Sequence, residues 1–459
     1  MRLINLGVCF LPLLVGTLAS AEEYGRPSVP VAIVNGMLLD GYEAEPMHEA
    51  VVLFEGNRIV AVGKAFEIEL PADALRIDAG GKTVMPGLID GHVHVDLIGH
   101  GDYDRYYEFL RGTERLPEAM PIATKQMIRA GVTSAIDLGT PFEILELRER
   151  IRSREIPGPR LTISGPWITR VYLEGLPASY QVLIDSPREA AQRTVELIEL
   201  GADVIKTWVG LTEEDYRAVV AAAHERGVKV HAHLYHPDAM WAAINAGVDV
   251  FQHVGSARNP AYDPDLVARI AHDGIPIVQT ISHRIWVYPA TVEFPERLLN
   301  PILADDMPAD FYAEMRDSFK YYRRLSYFHD IGRETRNARL SARQFIDAGA
   351  YMGVGTDAAS PLNFHSEAMW HEMRALVDSG MTPTQVISAA TKTNAEIIGQ
   401  FDELGSVEPG KLADIIIVDG NPLADIDAMS RVDVVIADGV VWYAERAAFG
   451  PVTEIGHAL

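Results

Sequence analysis

Leu88-Ile89-Asp90-Gly91-His92-Val93-His94-Val95 is the stretch on which the fold reading turns. Its apolar part has the length of a buried strand. Side chains alternate faces along a strand, so His92 and His94 point the same way and can bind one cation at ~2.0 Å. Taken alone, the pair reads equally well as two half-buried histidines.

The same texture continues downstream. Strand-like runs at 133–138, 160–164, 203–207, 228–233, 248–253, 275–280 and 351–356 alternate with amphipathic helical patterns such as 189–200, 213–226, 238–246 and 264–272. Such alternation predicts parallel strands with helices outside, and eight strands is the number of a (β/α)8 TIM barrel, expected here over residues 85–403. The stretch 284–340, rich in Tyr, Phe, Arg and Asp, exceeds a normal connection. It reads as an insertion after the seventh strand that covers the barrel mouth.

Outside that region the texture is β-type. Runs at 31–34, 50–54, 58–62 and 75–78, with turns at Asn35-Gly36, Gly56-Asn57 and Gly80-Gly81, predict a small antiparallel unit. Further runs at 414–418 and 432–437, with a turn at Asp438-Gly439, complete it, so residues 22–84 and 404–459 are expected to form one flanking β-sandwich.

Side chains at the C-terminal ends of barrel strands face the active site. Strand five ends in His231-Ala232-His233, with His233 nearer the mouth and His231 one layer deeper. Strand six ends in His253 and strand eight in Asp357. These are the imidazole and carboxylate types that coordinate a divalent cation such as zinc. Strand four carries Lys206 among apolar residues. Burial lowers a lysine's pKa, and a neutral amine can take up carbon dioxide to form a carbamate whose two oxygens can bridge two cations. Without the other ligands, a lysine reaching outward to pair with an acid would be the favoured reading.

His92-x-His94 preceded by Val84-Met85-Pro86-Gly87-Leu88-Ile89-Asp90-Gly91, then Lys206, His233, His253 and Gly355-Thr356-Asp357, resembles the amidohydrolase superfamily. The likeness is greatest to its imidazolonepropionase-related, prolidase-like branch and covers nearly the whole mature chain. The segment 404–414 is similar to the one that returns from barrel to sandwich in that family. The resemblance implies a centre of two divalent metal ions, usually zinc. His92, His94 and Asp357 would hold one ion, His233 and His253 the other, and carboxylated Lys206 would bridge them. Hydroxide bridging the metals would attack the scissile carbonyl, with Asp357 passing the proton to the leaving amine.

Loop residues after the strands should meet substrate, which makes Tyr235, His236 and His283 substrate-binding candidates. In prolidase-like relatives the tyrosine two places after the ligand histidine is a candidate for the substrate carboxylate, and Tyr235 matches it. His365 and Glu367 are weaker candidates, on a loop that is solvated by default. The expected reaction is hydrolysis of a dipeptide or N-acyl amino acid. Lactone, carbamate or phosphoester hydrolysis is the alternative, and a non-catalytic binding protein on the same scaffold is the alternative of another class.

The first residues read as a signal peptide: Arg2, an apolar run over 3–18, and Ala19-Ser20-Ala21 as a small-x-small cleavage site. The run is broken by Asn5, Gly7, Pro12 and Gly16 and falls short of the ~20 residues a membrane span needs. Residues 1–21 are therefore expected to be removed on export, leaving a periplasmic or secreted protein. A lipoprotein reading through Cys9 is weakened by the bulky Val8 before it. Cys9 is the only cysteine, so the mature chain would hold no thiol, which excludes disulfides, thiolate metal sites and cysteine nucleophiles. Forty basic against 64 acidic residues give a net charge of −24, which argues against nucleic-acid and anionic-membrane partners. A small-molecule or dipeptide-like substrate and a homo-oligomer remain compatible with it.

Overall fold

The computed structural model describes residues 26–253 and 261–443, so the expected signal segment with Cys9 lies outside the described residues. Among the described residues no helix is long and apolar enough to cross a membrane.

The described chain begins with strands β1 (Val31–Leu38), β2 (Met47–Glu55), β3 (Arg58–Lys64), β4 (Leu75–Asp78) and β5 (Thr83–Pro86). Asn35-Gly36, expected as a turn, lies inside β1 at a bulge in its pairing with β2. The reason is local: Asn35 takes φ 58°, and a Cβ on Gly36 would stand 2.4 Å from Val84 Cγ2. The pair therefore bends a strand against β5 instead of ending it.

The middle of the chain supplies parallel strands β6 (Leu88–Val93), β7 (Val132–Asp137), β8 (Arg160–Ile163), β9 (Trp167–Thr169), β10 (Gln181–Leu183), β11 (Val204–Thr207), β12 (Lys229–His233), β13 (Val250–Gln252), β14 (Ile277–Gln279) and β15 (Met352–Val354). They form two ladders, β6-β7-β8 and β10-β9-β11-β12-β13-β14-β15, rather than the single eight-stranded ladder expected. Hydrogen bonds cross both junctions. Asp203 N–H donates to Ile163 O at 2.8 Å, and Asp357 N–H donates to His92 O at 2.8 Å. Asp90 reinforces the second junction by accepting from Thr356 Oγ1 at 2.7 Å and Thr356 N at 3.0 Å. The extra strand β9 follows β8 across Gly165, at φ 66°, and Pro166, which has no N–H to give to a ladder. The architecture is a TIM-barrel-like α/β fold with a separate β-rich unit.

The helices follow the expected patterns. Helix Glu213–His224 opens on a capping box between Thr212 and Asp215 and buries Tyr216, Val219, Val220 and Ala223 at helical spacing. The stretch 284–340 is a series of short helices, and its last part belongs to helix Ile331–Asp347, which leads into β15. That helix buries Glu334, Ala338, Ser341, Ala342 and Phe345 along one side.

Strands β16 (Ile415–Val418), β17 (Val432–Ala437) and β18 (Val440–Tyr443) close the described chain. β17 and β18 are joined by Asp438-Gly439, both at positive φ as a type I′ hairpin requires. The two ends of the chain meet through antiparallel pairing of β5 with β16, from Ile415↔Pro86 to Val418↔Thr83. The expected sandwich is thus one continuous eight-stranded sheet, in the order β18-β17-β16-β5-β1-β2-β3 with β4 on β1. Its core joins Val31, Ile33, Val52 and Phe54 to Ile415, Ile417, Val434 and Ile436. The continuity runs through β5, which was not among the expected strands.

Candidate metal centre and active-site cavity

At the C-terminal ends of the parallel strands lies a cavity of about 590 Å³. His92, His94, Lys206, His233, His253 and Asp357 all line it, although they are scattered over most of the barrel sequence. Tyr235, His236 and His283 line it too. His365 and Glu367 are not in its lining: His365 is buried with Nε2 3.3 Å from Leu97 O, and Glu367 pairs with Arg297.

His92 Nε2 lies 3.3 Å from His94 Nε2. Asp357 Oδ1 stands 3.6 Å from the first and 3.2 Å from the second. The other carboxylate oxygen, Oδ2, is 4.0 Å from His253 Nδ1 and 4.0 Å from His283 Nε2. The His233 ring packs on His253 with centroids 4.8 Å apart. Ligand atoms of His92, His253 and Asp357 lie within 4.8 Å of one another, a grouping that could hold a metal ion.

Two of these residues reach the cavity through backbone that a strand does not have. Alternation along β13 would place Gln252 and His253 on opposite faces. His253 takes φ 62°, and both side chains turn inward. Asp357, just beyond β15, takes φ 52°. Left-handed backbone at a non-glycine residue costs on the order of 1–3 kcal/mol, and such strain clusters at functional sites.

The charges are arranged for a cation. Burial, with Lys206 close by, pushes His92 and His233 well below the ordinary histidine range, and burial with His92 and His233 close by does the same to His253. These imidazoles are neutral and carry lone pairs. Burial raises Asp357, but its hydrogen bond to His94 and the favourable electrostatics of the neighbouring histidines outweigh this and hold it well below the carboxylate range. Burial opposes a charge on His94, yet its hydrogen bond to Asp357 leaves its pKa raised. Burial also pulls the Lys206 amine down to about 7. Lys206 is 2% exposed, and its Nζ is buried without a hydrogen-bond partner. Neutral imidazoles and an ionised carboxylate beside a buried amine make a donor set that fits a divalent metal centre.

Sequence reasoning missed the group that orients this set. Gln252, fully buried, places Oε1 2.8 Å from His92 Nδ1 and Nε2 2.9 Å from His231 Nδ1. An amide oxygen only accepts, so His92 carries its proton on Nδ1 and turns the Nε2 lone pair toward Asp357. His231, one layer deeper, sits behind Gln252 and outside the cavity lining. The available signal was a polar residue directly before His253 in an otherwise apolar strand. Much of the remaining wall is aromatic or apolar, including Trp167, Trp208, Leu176, Leu211, Tyr103 and Tyr288.

Parallel strands that gather imidazoles, a buried lysine and a carboxylate at their C-terminal ends define a hydrolase on a TIM-barrel-like scaffold. The chain belongs to the amidohydrolase family, whose sequence profile matches residues 83–441. It is similar to ochratoxinase of Aspergillus niger, 25% identical over 91% of this chain and 86% of the relative. It is also similar to imidazolonepropionase of Streptomyces coelicolor, 27% identical over 81% of this chain and 86% of the relative. Among solved structures, a Xaa-Pro dipeptidase with bound methionine in the active site superposes with a TM-score of 0.71, is 25% identical, and is matched over 90% of this chain and 100% of that one. The chain is accordingly a hydrolase acting on carbon–nitrogen bonds, in a family that generally uses a divalent metal centre.

Proposed function

We propose that this chain is an exported amidohydrolase that cleaves the amide bond of dipeptides or N-acyl amino acids, with its parallel strands closed as a (β/α)8 barrel. What carries the reading is that His92, His94, His253 and Asp357 gather in one cavity with Lys206, whose buried amine has no hydrogen-bond partner. His92, His94 and Asp357 would hold one zinc ion and His233 and His253 a second, with carboxylated Lys206 between them. Bound there, such ions supply Lewis acidity and make water acidic enough to attack at neutral pH.

The remaining chemistry belongs to the chain's own side chains. Asp357 Oδ1 faces His92 and His94, which leaves Oδ2, on the side of His253 and His283, as the oxygen that handles a proton. Oδ2 takes a proton from the attacking water as the new carbon–oxygen bond forms. It returns that proton to the amide nitrogen as the carbon–nitrogen bond breaks, giving a carboxylic acid and an amine. Tyr235, whose ring lies 4.5 Å from His233, stands with His236 and His283 beside the substrate. The relation to a Xaa-Pro dipeptidase supports a dipeptide-sized substrate.

The test is a panel of dipeptides, N-acyl amino acids, lactones and phosphoesters offered to metal-reconstituted protein, ranked by kcat/KM. Dipeptides or N-acyl amino acids should lead. A lactone or phosphoester at the head of the ranking would replace the proposed substrate, and a metal-free, inert protein would replace the enzyme with a binding protein. Export is tested separately, by N-terminal sequencing of protein recovered outside the cytoplasm, which should begin at Glu22.

A further inference from the structure

His231 carries a proton that no group in the fold accepts. The residue is fully buried and pairs in register with Lys206 across β11 and β12, so the two side chains are neighbours on the same inward face of the strands. Gln252 decides where the proton sits. Its Nε2 stands 2.9 Å from His231 Nδ1 and donates also to Gly91 O at 3.5 Å, while its Oε1 meets His92 Nδ1. The Gly91 carbonyl, which can only accept, shows which end of the amide is the nitrogen. An amide nitrogen only donates, so His231 Nδ1 is an acceptor and the ring is neutral with its hydrogen on Nε2. That Nε2–H is buried and makes no hydrogen bond, and neither does Lys206 Nζ beside it.

The two orphaned atoms cannot satisfy each other as they stand. An ammonium has three N–H groups and no lone pair, so a protonated Lys206 would set donor against donor. Buried donors without acceptors are costly, and the cost disappears when one of the pair becomes an acceptor. Carboxylation of the lysine does this. The lone pair of the neutral amine bonds to the carbon of carbon dioxide, one carbon–oxygen π pair moves onto oxygen, and the nitrogen releases a proton to water. The product is a carbamate with one negative charge, whose oxygens accept where the ammonium could only donate.

We propose that His231 is the positioning residue of the Lys206 carbamate, donating from Nε2 to a carbamate oxygen. The proposal rests on the carboxylated-lysine part of the functional reading. Gln252 then orients two members of the centre at once: its oxygen fixes the tautomer of His92, and its nitrogen fixes the opposite tautomer in His231. His231 touches neither substrate nor metal, and acts through the lysine alone.

The experiment follows carboxylation itself. Wild type, His231→Phe and His231→Gln are freed of carbon dioxide, given zinc and titrated with isotopically labelled bicarbonate. The carbamate carbon is read by NMR and bound zinc by elemental analysis. His231→Phe keeps a flat ring but loses the donor, and should need on the order of 10-fold more bicarbonate or greater to reach half-carboxylation, the scale of outer-shell partners. His231→Gln keeps an N–H and should fall between that variant and wild type. A wild-type titration in His231→Phe, with its melting temperature preserved, would overturn the role of His231 and leave the carbamate standing. A wild type with no carbamate signal at any bicarbonate concentration would overturn both, while amide hydrolysis is judged separately by the substrate panel. Should His231→Phe fail to fold, wild type with labelled histidine decides. The His231 Nε2–H resonance should move downfield as bicarbonate is added, and an unmoved resonance would overturn the proposal.

Discussion

His92 Nδ1 and Gln252 Oε1 stand 2.8 Å apart in a fully buried contact, and this pairing determines which nitrogen of His92 faces the cavity. Gln252→Leu removes the acceptor and frees the ring to rotate or change tautomer. Outer-shell partners of this kind are typically worth ~10–100-fold in metal affinity. Competition with a chelator should show zinc affinity falling by that amount. Gln252→Glu keeps the acceptor for His92 and should lose less.

Lys206 has no partner for its amine, which burial brings down to about 7. A large neutral fraction at neutral pH is the form that reacts with carbon dioxide. Lys206→Ala should therefore lose most activity, and elemental analysis should find the metal content reduced from ~two ions per chain. Full turnover with full metal content in the variant would remove the carbamate from the account.

Away from the cavity, Arg170 holds Asp215 through Nε at 2.6 Å and Nη2 at 2.8 Å. Burial raises the carboxyl, but the Arg170 and Thr212 hydrogen bonds prevail and leave it below its ordinary value. A carboxylate depressed on folding stabilises the protein above its unfolded pKa of ~3.9, and that contribution is lost as pH falls through the folded value. Arg170→Met should thus lower the melting temperature at pH 7, with the difference from wild type narrowing in acid below ~pH 4. A difference independent of pH would show that the loss is one of packing.

Phe54 is fully buried in the core where the first strands meet β16 and β17. Truncating such a residue costs ~3–5 kcal/mol. Phe54→Ala should lower the midpoint of urea unfolding while leaving the metal content of the folded protein unchanged. A loss of metal before unfolding would mean that the sheet supports the cavity directly.

That the candidate residues share one cavity could be read from the sequence, because metal chemistry restricts residue type and strand geometry restricts spacing. His92 with His94, and Lys206 and His233 at the ends of apolar runs, carry both signals. Gln252 carries neither, and its one mark is a polar side chain in an otherwise apolar run. The alternation rule itself would have misplaced Gln252, because only the left-handed backbone of His253 allows both neighbours to face inward. The two ladders escaped notice for a similar reason. A Gly-Pro step directly after the run 160–164 divides β8 from β9, and the joint between the ladders is then closed by Asp203 and Ile163. Asn35-Gly36 shows the reverse error, a turn signal that the packing of Val84 converts into a bulge.

The central claim is that side chains distant in sequence assemble one metal-dependent hydrolytic site. It is tested most directly by following dipeptide hydrolysis as zinc is returned to chelator-stripped protein. The account predicts negligible activity in the stripped protein and a rise that saturates near ~two equivalents per chain. Full activity without metal, or none at any zinc concentration in a folded protein that binds the ion, would contradict it.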